Sequence, residues 1–321
     1  MNKKSQVSIV IPNYNGIKFL ANCLKALEKQ SDAEFEVIVV DNGSSDGSIE
    51  LMKEQFAYVK LIELDKNYGF CKAVNEGIKC VNTKYVILLN NDTEVQKYFV
   101  EELVKAISKS KKIFSCSAKM LQLYNKNLID DAGDFYCALG WAFARGKSKP
   151  ITEFSEDNYI FAACAGAAIY RREIFDEIGY FDEAHFAYLE DIDIGYRARI
   201  NGYKNMYAAK AVVYHAGSGA SGSRYNEFKV KLASKNSVYL IYKNMPTIQI
   251  LINLPLLLIG FSIKTLFFIK KGFASTYLNG LIKGIQMSRK SKKVTFYMRN
   301  ISNYGMIQLE LWINIIRKLL Y

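Results

Sequence analysis

Three groups of carboxylates, each at the end or edge of an apolar run, are the residues most able to do chemistry in this chain. Asp41 closes VIVVD and leads into NGSSDGS, and Asp92 closes VILLNND. Oxygens placed at Asp92 can bind Mg²⁺ or Mn²⁺ and through it neutralise phosphate. Glu190 and Asp191 lie in YLEDIDIGYRARINGYK and can supply a general base, because a carboxylate at a cleft edge takes the proton of an attacking hydroxyl. Each group also has a purely structural reading. Asp41 can satisfy the amides of a turn, Asp92 can form an Asx-turn or cap the next helix, and Glu190 with Asp191 can be a capping pair favoured by the helix dipole. His215 is either a ligand or a satisfied structural histidine. The loop AGSGASGSR beyond it, ending at Arg224, either offers amides to a diphosphate or is a linker.

The elements that position these residues alternate. Strands are expected at Val7 to Pro12, Phe35 to Val40, Val59 to Leu64 and Tyr85 to Leu89, with helices at Ile17 to Gln30, Gly47 to Gln55 and Phe70 to Val81 between them. That order is the signature of βαβ units and a largely parallel sheet. Ser45 or Asp46 is expected to cap the second helix. The strands end in PNYNG, DNGSSDGS, DKNYG and NNDT, and ligands of open α/β sheets bind at such carboxyl ends. Past Glu94 the alternation is less regular. A helix is expected near Val100 to Ser108, a strand around Phe114 to Met120, and a helix starting at Glu190 and Asp191. No GxGxxG or GxxxxGK[ST] follows a strand, which argues against a dinucleotide dehydrogenase or a P-loop enzyme.

In order along the chain stand VSIVIPNYNG, VIVVDNGSSDGS, NYGFCKAVNEGI, VILLNNDTEV, CAGAAIYRR, YFDEAHFAYLEDIDIGYRARINGY and VYHAGSG. Together they resemble the family 2 glycosyltransferases of the GT-A fold, in particular the rhamnosyltransferase-like branch, over about Val7 to Gly219. The resemblance implies a Rossmann-like nucleotide-binding sheet, mixed and largely parallel, flanked by helices. It implies a nucleoside-diphosphate-sugar pocket lined by Pro12, Tyr14, Asn15, Asp41, Asn67, Gly69, Asn75 and Asn91. Asp92 then holds a divalent metal, Mg²⁺ or Mn²⁺, with His215 closing the metal or diphosphate site. The first carboxylate of the family's DxD motif is Asn90 here. Asp191, beside Glu190, matches the catalytic base, and inverting transfer of one sugar to a glycan or lipid-linked acceptor in cell-surface polysaccharide synthesis follows. A sugar nucleotidyltransferase and an inactive GT-A scaffold at the membrane are the alternatives.

The tail has its own chemistry. From Tyr225 to Tyr321 there are 15 Lys or Arg against Glu227 and Glu310, a net of +13, which leaves −1 for residues 1–224 out of the total of +12. The positive charge accompanies the most apolar segment, so a membrane surface fits as partner better than a nucleic acid. Asn244 to Ile263 carries no charge over 20 residues, long enough to span a bilayer. Lys270, Lys271 and RKSKK at 289–293 then sit on the wrong side for a single span, and Pro255 and Gly260 interrupt the helix. Interfacial helices or a re-entrant pair are therefore expected at the cytoplasmic face of the membrane. Packing on the catalytic domain, or on a second copy as a homodimer, is the other reading. The expected organisation is a catalytic domain at 1–224, split into a nucleotide half at 1–95 and an acceptor half at 96–224, and a membrane-associating region at 225–321. A chain ending near Asn236 is accordingly expected to become soluble, keep nucleotide binding and lose most activity on a lipid-linked acceptor. Six cysteines form no CxxC pair, consistent with free thiols, and no apolar leader precedes the first strand, so a cytosolic catalytic part is expected.

Overall fold

The computed structural model of the protein describes residues 5–30, 34–217 and 225–320; Arg224 and most of the loop before it lie outside these. The first half follows the expected alternation: β1 (Val7–Asn13), α1 (Ile17–Glu28), β2 (Phe35–Asp41), α2 (Ser48–Gln55), β3 (Lys60–Glu63), α3 (Phe70–Lys79) and β4 (Tyr85–Leu89). The four strands are parallel, with β1 between β2 and β4 and β3 beyond β2. Both faces of this sheet are covered. Val10, Val40 and Leu88 join one core with Val74 and Ile78 of α3, while Ile9, Ile11 and Ile87 join another with Leu20 and Leu24 of α1. Strands buried on both faces read as continuous apolar runs, which is why they were legible. The cap of α2 differs from expectation. Gly47 occupies the capping position without a side-chain bond, and Asp46 accepts from the amides of both Ser48, at 3.1 Å, and Ile17, at 2.9 Å, so it joins two helix N-termini.

The second half adds β5 (Thr93–Val95), α4 (Phe99–Ser108), β6 (Ile113–Gln122), β7 (Ile129–Asp131), β8 (Asp134–Cys137), β9 (Trp141–Ala144), β10 (Asn158–Ile160), β11 (Ala167–Arg171), α5 (Ile174–Ile178), α6 (Glu190–Ile200) and β12 (Lys204–His215). The sheet order is β10-β12-β6-β11-β4-β1-β2-β3, with β11 antiparallel to both β4 and β6. β12 runs parallel to β6, and its last residues pair with β5, so that His215 stands opposite Thr93. That pairing carries His215 to the end of β4. β8 and β9 form a separate hairpin.

The tail is four helices: α7 (Glu227–Asn244), α8 (Thr247–Lys270), α9 (Ala274–Lys290) and α10 (Ile301–Leu320). Contrary to the sequence expectation, α8 continues through Pro255 and Gly260. An internal proline costs a helix about 3 kcal/mol, and tertiary bonds of the same turn offset it. Asn253 and Gln308 exchange two side-chain bonds of 2.8 Å, and Trp312 Nε1 donates to Asn253 at 3.1 Å. Gly260 is needed for close approach, since a Cβ there would lie 2.1 Å from the Leu139 carbonyl. The tail also binds the catalytic part on either side of an end near Asn236. Asn236 Nδ2 donates to the carbonyls of His185, Ala187 and Tyr188, and farther on Lys243 and Asn244 bind Asp193 of α6 at 2.9 and 2.8 Å. A chain ending there leaves Asp193 buried without two of its partners.

Candidate active site

The ends of β1, β2 and β4 build one polar seam. Asn13 pairs in register with Asp41, and its amide donates to Asp41 Oδ2 at 2.7 Å. Asn91 donates to Asn13 Oδ1 at 2.6 Å, and Asp41 Oδ1 accepts from the Ser44 amide at 2.8 Å. Asp41 and Asn91, chosen from sequence, thus meet through Asn13, which sequence reasoning passed over between Pro12 and Tyr14. Pro12 is partly buried within β1 and Tyr14 is exposed at the loop. Asn15 adopts a left-handed φ of 48° and ties the first loop to the second, its Oδ1 accepting from the Ser45 amide at 2.9 Å. Asn42, also missed, donates to Asn67 Oδ1 at 3.0 Å and to the Gly69 carbonyl at 3.1 Å, which docks the second loop on the third. Asn75 lies apart from this seam. Its amide donates to the Phe181 carbonyl at 2.8 Å and accepts from the Phe181 amide at 3.0 Å, bracing the approach to α6.

Beside the seam, His215 Nε2 lies 3.4 Å from Asp92 Oδ1, and Nδ1 bonds Asp130 Oδ2 at 2.8 Å. Lys147 holds the other Asp130 oxygen at 2.9 Å. Burial opposes a charge on His215, but the bonds to Asp130 and Asp92 outweigh it and push its pKa up to about 9. Burial acts against Asp130 too, yet His215 and Lys147 bring it down to about 2. An imidazole with one nitrogen held by a carboxylate and the other directed at a second carboxylate is the arrangement of a metal-binding histidine with its supporting partner. The donor set of Asp92 and His215 therefore fits a divalent cation. Asp130 was missed because IDD before Ala-Gly reads as a loop.

Glu190 and Asp191 open α6 after three residues with left-handed backbone, Phe186, Tyr188 and Leu189, at φ of 67°, 71° and 67°. Non-glycine residues in that region hold about 1–3 kcal/mol of strain each, and here the Asn236 side-chain amide holds the carbonyls of His185, Ala187 and Tyr188 in the same turn. Asp191 is partly exposed and accepts from the Ile192 amide at 2.7 Å; Glu190 is buried and its Oε2 has no hydrogen-bond partner among the described residues. Burial, and next the neighbouring Asp191, push Glu190 up to about 8. Asp131 and Asp134 stand close by, with ligand atoms that lie within 4.8 Å of each other and of Cys164. Burial raises Asp131 to about 7, and burial raises Asp134 well above the usual carboxylate range. Strand β7 links the two ends of the site. Successive side chains point to opposite faces, so Asp130 meets His215 while Asp131 acts on Asp134 and Asp191.

A carboxylate–imidazole pair beside a polar seam, with a second acidic group at a helix N-terminus, suits transfer chemistry on a phosphorylated donor. The model of glycosyl transferase family 2 matches residues 8–179. The chain belongs to that family. Over 239 residues it is 23% identical to the N-acetylglucosaminyl-diphospho-decaprenol L-rhamnosyltransferase of Mycobacterium tuberculosis, covering 67% of this chain and 77% of that protein. It superposes on S. aureus TarS 1–349 in complex with UDP-GlcNAc with a TM-score of 0.58 at 18% identity, covering 94% of this chain and 90% of the other. Against GalNAc-T7 with UDP, GalNAc and Mn²⁺ the TM-score is 0.59 at 20% identity, covering 75% of this chain but only 48% of that one. The fold is GT-A and the protein is a glycosyltransferase, related to rhamnosyltransferases. The nucleotidyltransferase alternative falls with that membership.

Proposed function

We propose that this family 2 glycosyltransferase moves one sugar, with inversion, from a nucleoside-diphosphate sugar to a hydroxyl of a lipid-linked glycan at the cytoplasmic face of a membrane. Deoxythymidine-diphosphate rhamnose is the leading donor, because a relative is a rhamnosyltransferase for a diphospho-decaprenol acceptor. The observation that carries the reading is the meeting of Asp92 and His215 at 3.4 Å at the end of β4, with Asp130 behind. Asp92 and His215 would hold Mg²⁺ or Mn²⁺, which when bound stabilises charge on the diphosphate leaving group. Asp41, Asn13 and Asn91 orient the nucleoside. Asp191 receives the proton of the acceptor hydroxyl as that oxygen attacks the anomeric carbon.

Residues 1–95 serve the nucleotide in this reading and 96–224 the acceptor. The helices of 225–321 serve the membrane, with α7 also bracing the catalytic loop. Support for the membrane comes from α8, the one helix among the described residues long and apolar enough to cross a bilayer, which exposes Leu251, Leu258 and Leu266. We favour helices lying on the surface, since α8 and α10 also bond each other and the β8–β9 hairpin. A donor-hydrolysis screen over nucleotide sugars, each with Mg²⁺ and with Mn²⁺, tests the reading. Release of one nucleoside diphosphate, dependent on metal, is expected; no release from any donor with either metal overturns it.

A further inference from the structure

Next to Asp191 stands a carboxyl group that the reaction as described leaves unused. Asp134 opens β8, is buried, and shares a side-chain hydrogen bond with Asp191. Its backbone is fixed: its amide donates to the Ala162 carbonyl, and its own carbonyl accepts from the amides of Phe161 and Ala162, each at 3.1 Å. The helix that carries Asp191 rests on the same residue, because Gly195 approaches so closely that a Cβ there would lie 2.6 Å from Ala162 Cβ. One rigid piece of backbone therefore holds both carboxyl groups in place.

Two carboxyl groups share a hydrogen bond only when one of them carries a proton. Burial raises Asp191 too, but it has a second donor, the Ile192 amide at 2.7 Å, and that bond and the one shared with Asp134 both favour its charged form. Asp134 is buried beside Asp131 and Asp191, and burial and these two carboxyl groups disfavour a negative charge on it, while Cys164 next to it is held as a neutral thiol. Among the described residues, Lys147 acts on this cluster through Asp131.

We propose that Asp134 is a positioning residue that keeps the proton of the Asp134–Asp191 pair and donates it to Asp191, leaving Asp191 as the ionised partner that meets the acceptor. The inference rests on Asp191 being the base. In the transfer step the acceptor O–H bond breaks and its proton goes to Asp191. The acceptor oxygen bonds the anomeric carbon, and the bond from that carbon to the diphosphate oxygen breaks, its electron pair leaving with the nucleoside diphosphate. The Asp134 proton stays where it is.

Two measurements on the full-length protein test this. Carboxyl ¹³C spectra of aspartate-labelled protein at about pH 8, above the value of about 7 to which Asp131 is raised, are expected to show a protonated aspartate that D134N removes; its persistence in D134N overturns the proposal. This first measurement needs no substrate, so it decides the matter even if the donor or the base is misassigned. The second is the pH profile of nucleoside-diphosphate release from dTDP-rhamnose. Loss of the donated bond in D134A is expected to lower turnover about tenfold to a hundredfold and move the acid limb up by about one pH unit, while D134N, whose amide still donates, keeps more turnover. A residue that merely supports the fold lowers activity without moving the limb. An acid limb that stays put or moves down in D134A overturns the proposal. Wild-type turnover in D191N removes the base reading instead.

Discussion

Asn236 donates its side-chain amide to the Tyr188 carbonyl at 2.7 Å, and with the same nitrogen reaches the carbonyls of His185 and Ala187. A residue of the basic tail thus holds the strained turn from which Glu190 and Asp191 project. Asn236→Ala leaves these carbonyls without that donor, at a cost of about 1–3 kcal/mol for each buried group left unsatisfied. Lowered thermal stability and a fall in turnover larger than the fall in nucleotide affinity are expected, the first by calorimetry and the second by steady-state kinetics. A variant with unchanged turnover would show that the turn holds itself.

Asp191→Asn is expected to reduce turnover about a hundredfold to ten-thousandfold while donor binding persists, because a base acts on the acceptor proton in the transition state. Kinetics at saturating donor and acceptor check this. Near-wild-type turnover rules the assignment out.

Asp92→Ala is expected to weaken nucleoside-diphosphate binding in the presence of Mn²⁺ and to remove most of its dependence on the metal. The variant leaves His215 as the remaining ligand of the pair. Titration calorimetry with and without Mn²⁺ decides the matter; affinity that is unchanged and equally metal-dependent places the cation elsewhere.

How far the sequence led depends on the kind of residue. β1, β2 and β4 were legible because each is an apolar run buried in the sheet, and their polar ends marked the seam at Asp41 and Asp92. Asp130 and Asp134 were not. They sit on strands of three and four residues, too short for a period to register, and Asp130 acquires its meaning only when β12 brings His215 back across the sheet. Asn236 was equally silent, since a bond to backbone carbonyls leaves no pattern in the chain. Pro255 misled because helix propensity is a local quantity and the bonds of Asn253 are tertiary.

Stability is expected to fall as pH rises from about 4 to about 8. Glu190 and Asp131 are raised to about 8 and about 7, so the folded chain binds protons in that window that the unfolded chain has released, and the protonated fold loses its advantage as they dissociate. His215, raised to about 9, acts in the same direction above its ordinary value. His185, buried and lowered to about 4, opposes this between that pH and its ordinary value, and Asp130 opposes it on the acid side, where its protonation near pH 2 breaks the pair with His215. Chemical denaturation across this range measures the slope, and Glu190→Gln is expected to flatten it. An equal slope in that variant removes Glu190 as a cause.

The membrane face is tested by charge rather than by truncation, because α7 and α10 both bind the catalytic part: Asn236 of α7 donates to the Tyr188 carbonyl at 2.7 Å, and at α10 the Leu311 carbonyl accepts from the Ala138 amide at 3.0 Å and Asn314 donates to the Tyr136 carbonyl at 2.8 Å. Leu251, Leu258 and Leu266 are 58%, 60% and 61% exposed on α8, so changing them to Glu disturbs no core. Burying each leucine is worth about 1.5–3 kcal/mol, and each Lys or Arg near an anionic leaflet adds about 1 kcal/mol. The triple variant loses the first contribution and repels the leaflet as well. It is expected to leave anionic liposomes in a flotation assay, keep its melting temperature and its hydrolysis of soluble donor, and lose most transfer to a lipid-linked acceptor. If wild type and variant float alike, the exposed face of α8 meets something other than lipid, and a concentration-dependent change of mass in the wild type alone would identify a second copy of the chain as what covers it.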